Sequence, residues 1–284
     1  MTIQLEDLLA CLELTTVASG GAGDGPDTVL EGDNLDIGYH RVFGGQILAQ
    51  VLMAAAGAAP QKSVKSLTVA FPREGDAARP MRYRVHRHHE GRTFSTVEVV
   101  ASQDSKVVAV AVVSLHAEEQ GLHRSVAPPD VGAPGDAATR TLDLIPWEVR
   151  VVDGVDLADR DVGPPRLELW MRAPSLGHDE PPAPAVHQAL LAHATDLTLI
   201  GTALRPLAGV SQADSGGALH TAVTSHSLWF HQPFRLDDWL LVAQESPVVA
   251  DGRAFGRGDV FNVDGHVVAS FAQESMVRSV PPPN

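Results

Sequence analysis

The sequence predicts an α+β protein built from two copies of one unit, a long buried helix wrapped by an antiparallel β-sheet. Two helix-length stretches, 42–56 and 185–200, are apolar on almost every side, and helices of that kind belong inside a protein. Each is followed by four runs of strand length, separated by turn signals. The runs also share motifs: Gly91-Arg-Thr-Phe-Ser95 matches Gly252-Arg-Ala-Phe-Gly256, and Lys106-Val-Val-Ala109 matches His266-Val-Val-Ala269. A repeat this long describes duplicated domains rather than a solenoid.

Taken in order, Ile3 to Leu14 repeats Leu5, Leu8, Leu9 and Leu12 on one helical face, so a short amphipathic helix lies on the larger body. Gly20 to Pro26 is a flexible Gly/Asp loop, and Val29 to Ile37 reads as an edge strand. The first buried helix follows. Gly44 and Gly45 at its entrance allow close approach of backbone, either for tight packing on a strand or for free N–H groups to hold a substrate oxygen. Strands are expected at Val64–Phe71, Met81–His89, Thr93–Ser102 and Val107–His116. Residues 121–183 break the pattern as a crossover, linker-like over Ala127–Asp136, with short partly buried pieces at Leu142–Arg150 and Arg166–Arg172. The second helix starts at Ala185, and strands follow at Thr221–Phe230, Trp239–Ser246, Ala254–Asn262 and His266–Met276. The domain boundaries are accordingly 1–120, 121–183 for the crossover, and 184–284.

Composition narrows the function classes. With a formal net charge of −14, bulk electrostatics do not favour nucleic acid or an anionic membrane. One cysteine, Cys11, rules out an intramolecular disulfide and cannot build a thiolate metal site. No apolar run reaches the ~18 residues of a membrane span, and the acidic start is unlike a signal peptide. A soluble cytoplasmic protein without membrane insertion is expected. The histidines show no zinc-ligand spacing, and the G-x-S-x-G elbow, the P-loop and the dinucleotide fingerprint are all absent. Neither a metal nor a cofactor is expected.

The chemistry concentrates in the second half. Asp196 is the single formal charge on the second helix, and a buried carboxyl is costly unless it acts or is satisfied, for example by Thr195 or Thr198. Carrying the repeat forward sets Gln273 opposite Val113, so the polar pair Asp196/Gln273 exists in one half only. That asymmetry favours one active site. His193, three residues before Asp196, can share its helix face.

At these residues the chain resembles the type II acyl-CoA thioesterases of the TesB kind, which are double-hotdog proteins. The resemblance rests on Asp36-Ile-Gly-Tyr-His-Arg-Val-Phe-Gly-Gly-Gln46, Gly91–Ser95, His187-Gln-Ala-Leu-Leu-Ala-His-Ala-Thr-Asp-Leu197, His226-Ser-Leu-Trp-Phe-His-Gln-Pro-Phe234 and Val268-Ala-Ser-Phe-Ala-Gln-Glu274. It covers nearly the whole chain outside the crossover. It implies a tandem hotdog that hydrolyses fatty acyl-CoA to free acid and CoA, assembled as a homodimer or homotetramer. Asp196 and Gln273 match the family's base and amide, which activate a water without an acyl-enzyme. Gly44, Gly45, Ser225 and His226 are the substrate-contact candidates. The family's third group is a hydroxyl, and its position is Val223 here. In a regular strand Ser225 shares the face of Val223 but sits ~6.6 Å further on. Thr224 turns inward only if a bulge shifts the register. Two rivals stand beside hydrolysis: an enoyl-CoA hydratase or dehydratase using His193 with Asp196, and a catalytically weak acyl-CoA binder.

Overall fold

The computed structural model describes residues 3–19, 27–176 and 183–280; the predicted loop at Gly20–Pro26 lies outside them. Thirteen strands form one continuous sheet, and every pairing between them is antiparallel. In chain order they are β1 (Thr15–Ser19), β2 (Thr28–Gly32), β3 (Ser63–Ala70), β4 (Met81–Glu90), β5 (Phe94–Gln103), β6 (Lys106–His116), β7 (Ala138–Arg140), β8 (Glu148–Val151), β9 (Arg166–Arg172), β10 (Leu219–Phe230), β11 (Leu240–Ala250), β12 (Arg253–Asn262) and β13 (Val267–Ser279). The helices are α1 (Leu5–Cys11), α2 (Gly44–Ala58), α3 (Pro184–Thr195) and α4 (Leu199–Leu204).

The strand order is β1-β2-β4-β5-β6-β3 for the first half and β10-β13-β12-β11-β9-β8-β7 for the second. β3 corresponds to β10, β4 to β11, β5 to β12 and β6 to β13, so the halves are related by a pseudo-two-fold between β3 and β10. The two sheets are stitched there by pairing from Ser225↔Ala70 to Trp229↔Ser66. This is the tandem hotdog that the repeat predicts. All eight predicted strands of the two units are present, with ends shifted by a few residues. Alternation explains the strands: β5 buries Ser95, Val97, Val99, Ala101 and Gln103 on one face. The β11–β12 hairpin turns on Asp251 (φ 51°) and Gly252 (φ 72°), the left-handed pair that a tight two-residue turn requires.

α2 and α3 pack on each other under the curved sheet. α2 buries ten of its fifteen residues, Leu48, Val51, Leu52 and Ala55 completely. Burying one such leucine contributes ~1.5–3 kcal/mol, which is why this helix needs no caps or charges of its own.

Three features differ from the sequence expectation. The second helix stops at Thr195 instead of running to residue 200, and Asp196 is its C-cap. The Thr195 hydroxyl lies 2.9 Å from the Ala192 carbonyl and competes with the helical ladder. Beyond it, Thr198 and Thr202 bond Gln244 of β11 and hold α4 in a new direction. The crossover is not only a connection, because β7, β8 and β9 extend the second half's sheet past β11. The outermost strand on the other side is β1, not the segment starting at Val29, which pairs with both β1 and β4. Among the described residues no helix is long and apolar enough to cross a membrane.

Candidate active site

The end of α3 meets the beginning of α2. Gly44 and Gly45 open α2, and both positions are tight: a β-carbon at Gly44 would lie 2.7 Å from Asp196 Oδ2, and one at Gly45 would collide with the His193 carbonyl oxygen and the Phe43 ring. Of the two sequence readings of these glycines, the structure shows close packing, and what they pack against is the Asp196 segment. The carboxyl therefore rests on a helix N-terminus, where unpaired N–H groups and the helix dipole favour negative charge. Burial opposes this more strongly. Asp196 is enclosed, its carboxyl is pushed up to about 8 by desolvation, and the Gly45 N–H draws it back only in part. Its Oδ1 has no hydrogen-bond partner among the described residues.

Facing Asp196 is His226 of β10, whose Nδ1 is 3.8 Å from Oδ1. This is too long for a hydrogen bond. Nor is it an ion pair at neutral pH, since burial pushes His226 down to about 4 while Asp196 is raised. His226 Nδ1 is instead 2.9 Å from Gln273 Oε1, and its Nε2 is 3.1 Å from the Thr195 hydroxyl. The Gln273 Nε2 donates to Ser275 Oγ at 2.8 Å. His226 and Gln273 are direct cross-strand partners on the buried face of β10 and β13, and the His226 ring stacks on Phe271.

The structure thus brings Asp196, His226 and Gln273 together beside Gly44 and Gly45. It leaves out the other two candidates. The β10–β13 register runs Val223↔Ser275 and then Ser225↔Glu274, which makes Thr224 the extra residue of a β-bulge. The bulge does form, yet the Thr224 hydroxyl donates to the Glu274 backbone carbonyl at 3.0 Å. What the bulge re-aims is Val223, which now shares the buried face with His226. Ser225 pairs with Glu274 and Ala70 on the opposite face. Ser275 was missed, and Thr195 and Thr198, expected as partners of Asp196, bond elsewhere: Thr195 meets His226 and the Ala192 carbonyl, and Thr198 meets Gln244. The signal for Ser275 was there, because residues 273 and 275 of a strand share a face.

His193 is occupied elsewhere. Its Nε2 donates to the Leu144 carbonyl at 2.9 Å, so it ties α3 to the crossover, and its ring stands edge-on to Phe43. In the first half the matching place holds no ionisable pair. Val113 lies among Leu67 and Val97, while Gln46 and Gln50 bond Asn34, Cys11, Asp33, Leu35 and Tyr83 to fasten the N-terminal segment. An apolar pocket of about 630 Å³, with Leu12, Leu30, Met53, Ala54 and Val186 in its wall, sits at the other end of α2, away from Asp196.

The fold is a double hotdog, with one buried carboxyl, an amide and a histidine gathered where α3 meets α2. Comparison with known proteins makes this specific. Residues 32–116 match the family model for the acyl-CoA thioesterase N-terminal domain, and 123–277 match its C-terminal domain. The chain is 31% identical over 272 residues to acyl-CoA thioesterase 2 of Haemophilus influenzae, covering 89% of this chain and 93% of that one. It is 31% identical to mouse (Mus musculus) acyl-coenzyme A thioesterase 8, covering 85% and 81% of the two chains. Among solved structures, the tesB protein of Mycobacterium avium subs. paratuberculosis superposes with a TM-score of 0.79 at 30% identity, over 98% of this chain and all of that one. The chain belongs to the type II acyl-CoA thioesterase family.

Proposed function

We propose that this chain hydrolyses fatty acyl-CoA to fatty acid and CoA at the Asp196 site, with a water as nucleophile. The observation that carries it is the unpaired, buried Asp196 Oδ1 facing the same His226 nitrogen that meets Gln273, in one half of the repeat only. Asp196 in its ionised form takes a proton from water as the oxygen attacks the thioester carbon. Gln273 orients that water, and the Gly44 N–H at the start of α2 is a donor for the carbonyl oxygen as it gains charge. The carbon–sulfur bond then breaks, and the proton held by Asp196 passes to the departing thiolate. No metal is needed for these steps, and no group of His/Cys/Asp/Glu arranged to hold one occurs among the described residues.

The His193 hydratase reading is not favoured, because the family models and relatives that match are thioesterases; His193 Nε2 bonds the Leu144 carbonyl, and its Nδ1 has no partner among the described residues. The proposal includes a cytoplasmic setting, a place in fatty acid metabolism and a homo-oligomer. The test is Asp196→Asn, assayed by free thiol release from medium- and long-chain acyl-CoA. Turnover falls by ~10²–10⁴-fold, the range of a lost general base, with the fold intact by circular dichroism. Near-native turnover would sink the mechanism.

A further inference from the structure

The atoms that face one another set the hydrogen-bond polarity along the Gln273 chain. The Gln273 oxygen can only accept, so the 2.9 Å contact places the imidazole proton of the neutral His226 on Nδ1. Nε2 then faces the Thr195 hydroxyl at 3.1 Å and shares its one proton with the Ala192 carbonyl. At the other end Gln273 Nε2 donates to Ser275 Oγ, so Ser275 keeps its own proton for another partner. Ser275 is 2% exposed, and no acceptor for that proton is present among the described residues. Buried donors are almost always paired, and an unpaired one marks a place where a ligand completes the bond. The cluster thus ends in an unclaimed donor at Ser275 and an unclaimed acceptor at Asp196 Oδ1.

Strand register explains why the hydroxyl is on β13. Val223 and Ser275 are direct partners: alternation from Gln273 puts Ser275 on the buried face, and the bulge at Thr224 turns Val223 toward it. Of this pair only Ser275 carries a hydroxyl. We propose that Ser275 is the hydroxyl member of the site: with Gln273 it holds the water that Asp196 deprotonates, in place of a hydroxyl from Val223. This rests on the hydrolytic reading above.

The test uses the full chain with steady-state thiol release and ¹⁵N NMR of the Gln273 side-chain amide. Ser275→Ala lowers kcat by about 10- to 100-fold, the effect of losing a hydrogen bond to a group gaining charge, with little change in KM. Ser275→Cys, which keeps the volume and weakens the donor, falls in the same direction. Adding Val223→Thr to Ser275→Ala returns a hydroxyl from the opposite strand and restores at least about tenfold of the loss. The Gln273 amide resonance moves in Ser275→Ala and moves back in the double variant, which a purely structural defect would not do. Wild-type kcat in Ser275→Ala, or a loss that Val223→Thr leaves uncorrected, overturns the proposal. If Asp196→Asn is inactive in either case, the hydrolytic reading survives; if Asp196→Asn stays active, that reading fails as well.

Discussion

Two forces compete over the Asp196 carboxyl. Enclosure pushes it up to about 8, and the N-terminus of α2 pulls the other way without winning. A base that is mostly protonated at pH 7 works better as pH rises, so kcat/KM of the free enzyme climbs about tenfold per pH unit below 8 and levels off above it. A pH–rate profile that is flat from 6 to 9 would assign the base elsewhere. The same shift has a stability consequence of opposite sense. Between the unfolded value of ~3.9 and the folded value, the folded state holds a proton that the unfolded state has lost. Stability from this group is therefore full at low pH, declines as pH rises to about 8, and is constant beyond. Thermal melts of wild type and Asp196→Asn diverge through that window, the Asn variant becoming the more stable.

At the scale of elements, the junction between α2 and α3 decides where the charge sits. Gly44 and Gly45 are adjacent in sequence and have different duties. A methyl group at Gly44 meets Asp196 Oδ2 at 2.7 Å, whereas one at Gly45 meets the backbone oxygen of His193 and the Phe43 ring. A carboxyl can swing aside and a backbone carbonyl cannot. Gly44→Ala is thus expected to cut hydrolysis with a modest change in melting temperature. Gly45→Ala is expected to destabilise the fold by ~1–3 kcal/mol through overpacking. Comparing activity loss per degree of Tm for the two variants checks this; equal ratios would contradict the division. The break at Thr195 matters in the same way, since a helix continuing to residue 200 would carry Asp196 within its ladder instead of at its end.

For the whole molecule, the thirteen-stranded sheet covers its core on one side, and on the other side the crossover near Ser125 and Pro129 reaches part of the second half. Val110 and Val112 of β6 and Trp229 of β10 are exposed, flanking β3 at the centre of that outer face. Exposed apolar residues grouped on the two strands either side of β3 mark an association surface, and β1 and β7 are the end strands of the sheet. A homo-oligomer is expected by light scattering at micromolar protein, and Trp229→Lys with Val112→Lys is expected to shift it toward monomer. A wild-type monomer would contradict the assembly.

Much of this protein was decided by sequence alone. Two apolar helices with a single formal charge between them, each followed by four strands, can be satisfied only by enclosure, so the doubled helix-in-sheet unit follows from hydrophobic patterning. Asp196 and Gln273 were also legible, because a lone carboxyl and a lone amide on buried elements are conspicuous in the half that has them. Tertiary structure alone decided the rest. The strand parity of Val223 depends on the bulge at Thr224, a register event between β10 and β13 that no local pattern encodes. Where Val223 and the Thr224 hydroxyl point depends on that one-residue shift. The height of the Asp196 pKa depends on which helix end closes over it, and that is set by two glycines about 150 residues away in the chain. The chemistry is written in residues, but its geometry comes from contacts between segments distant in sequence.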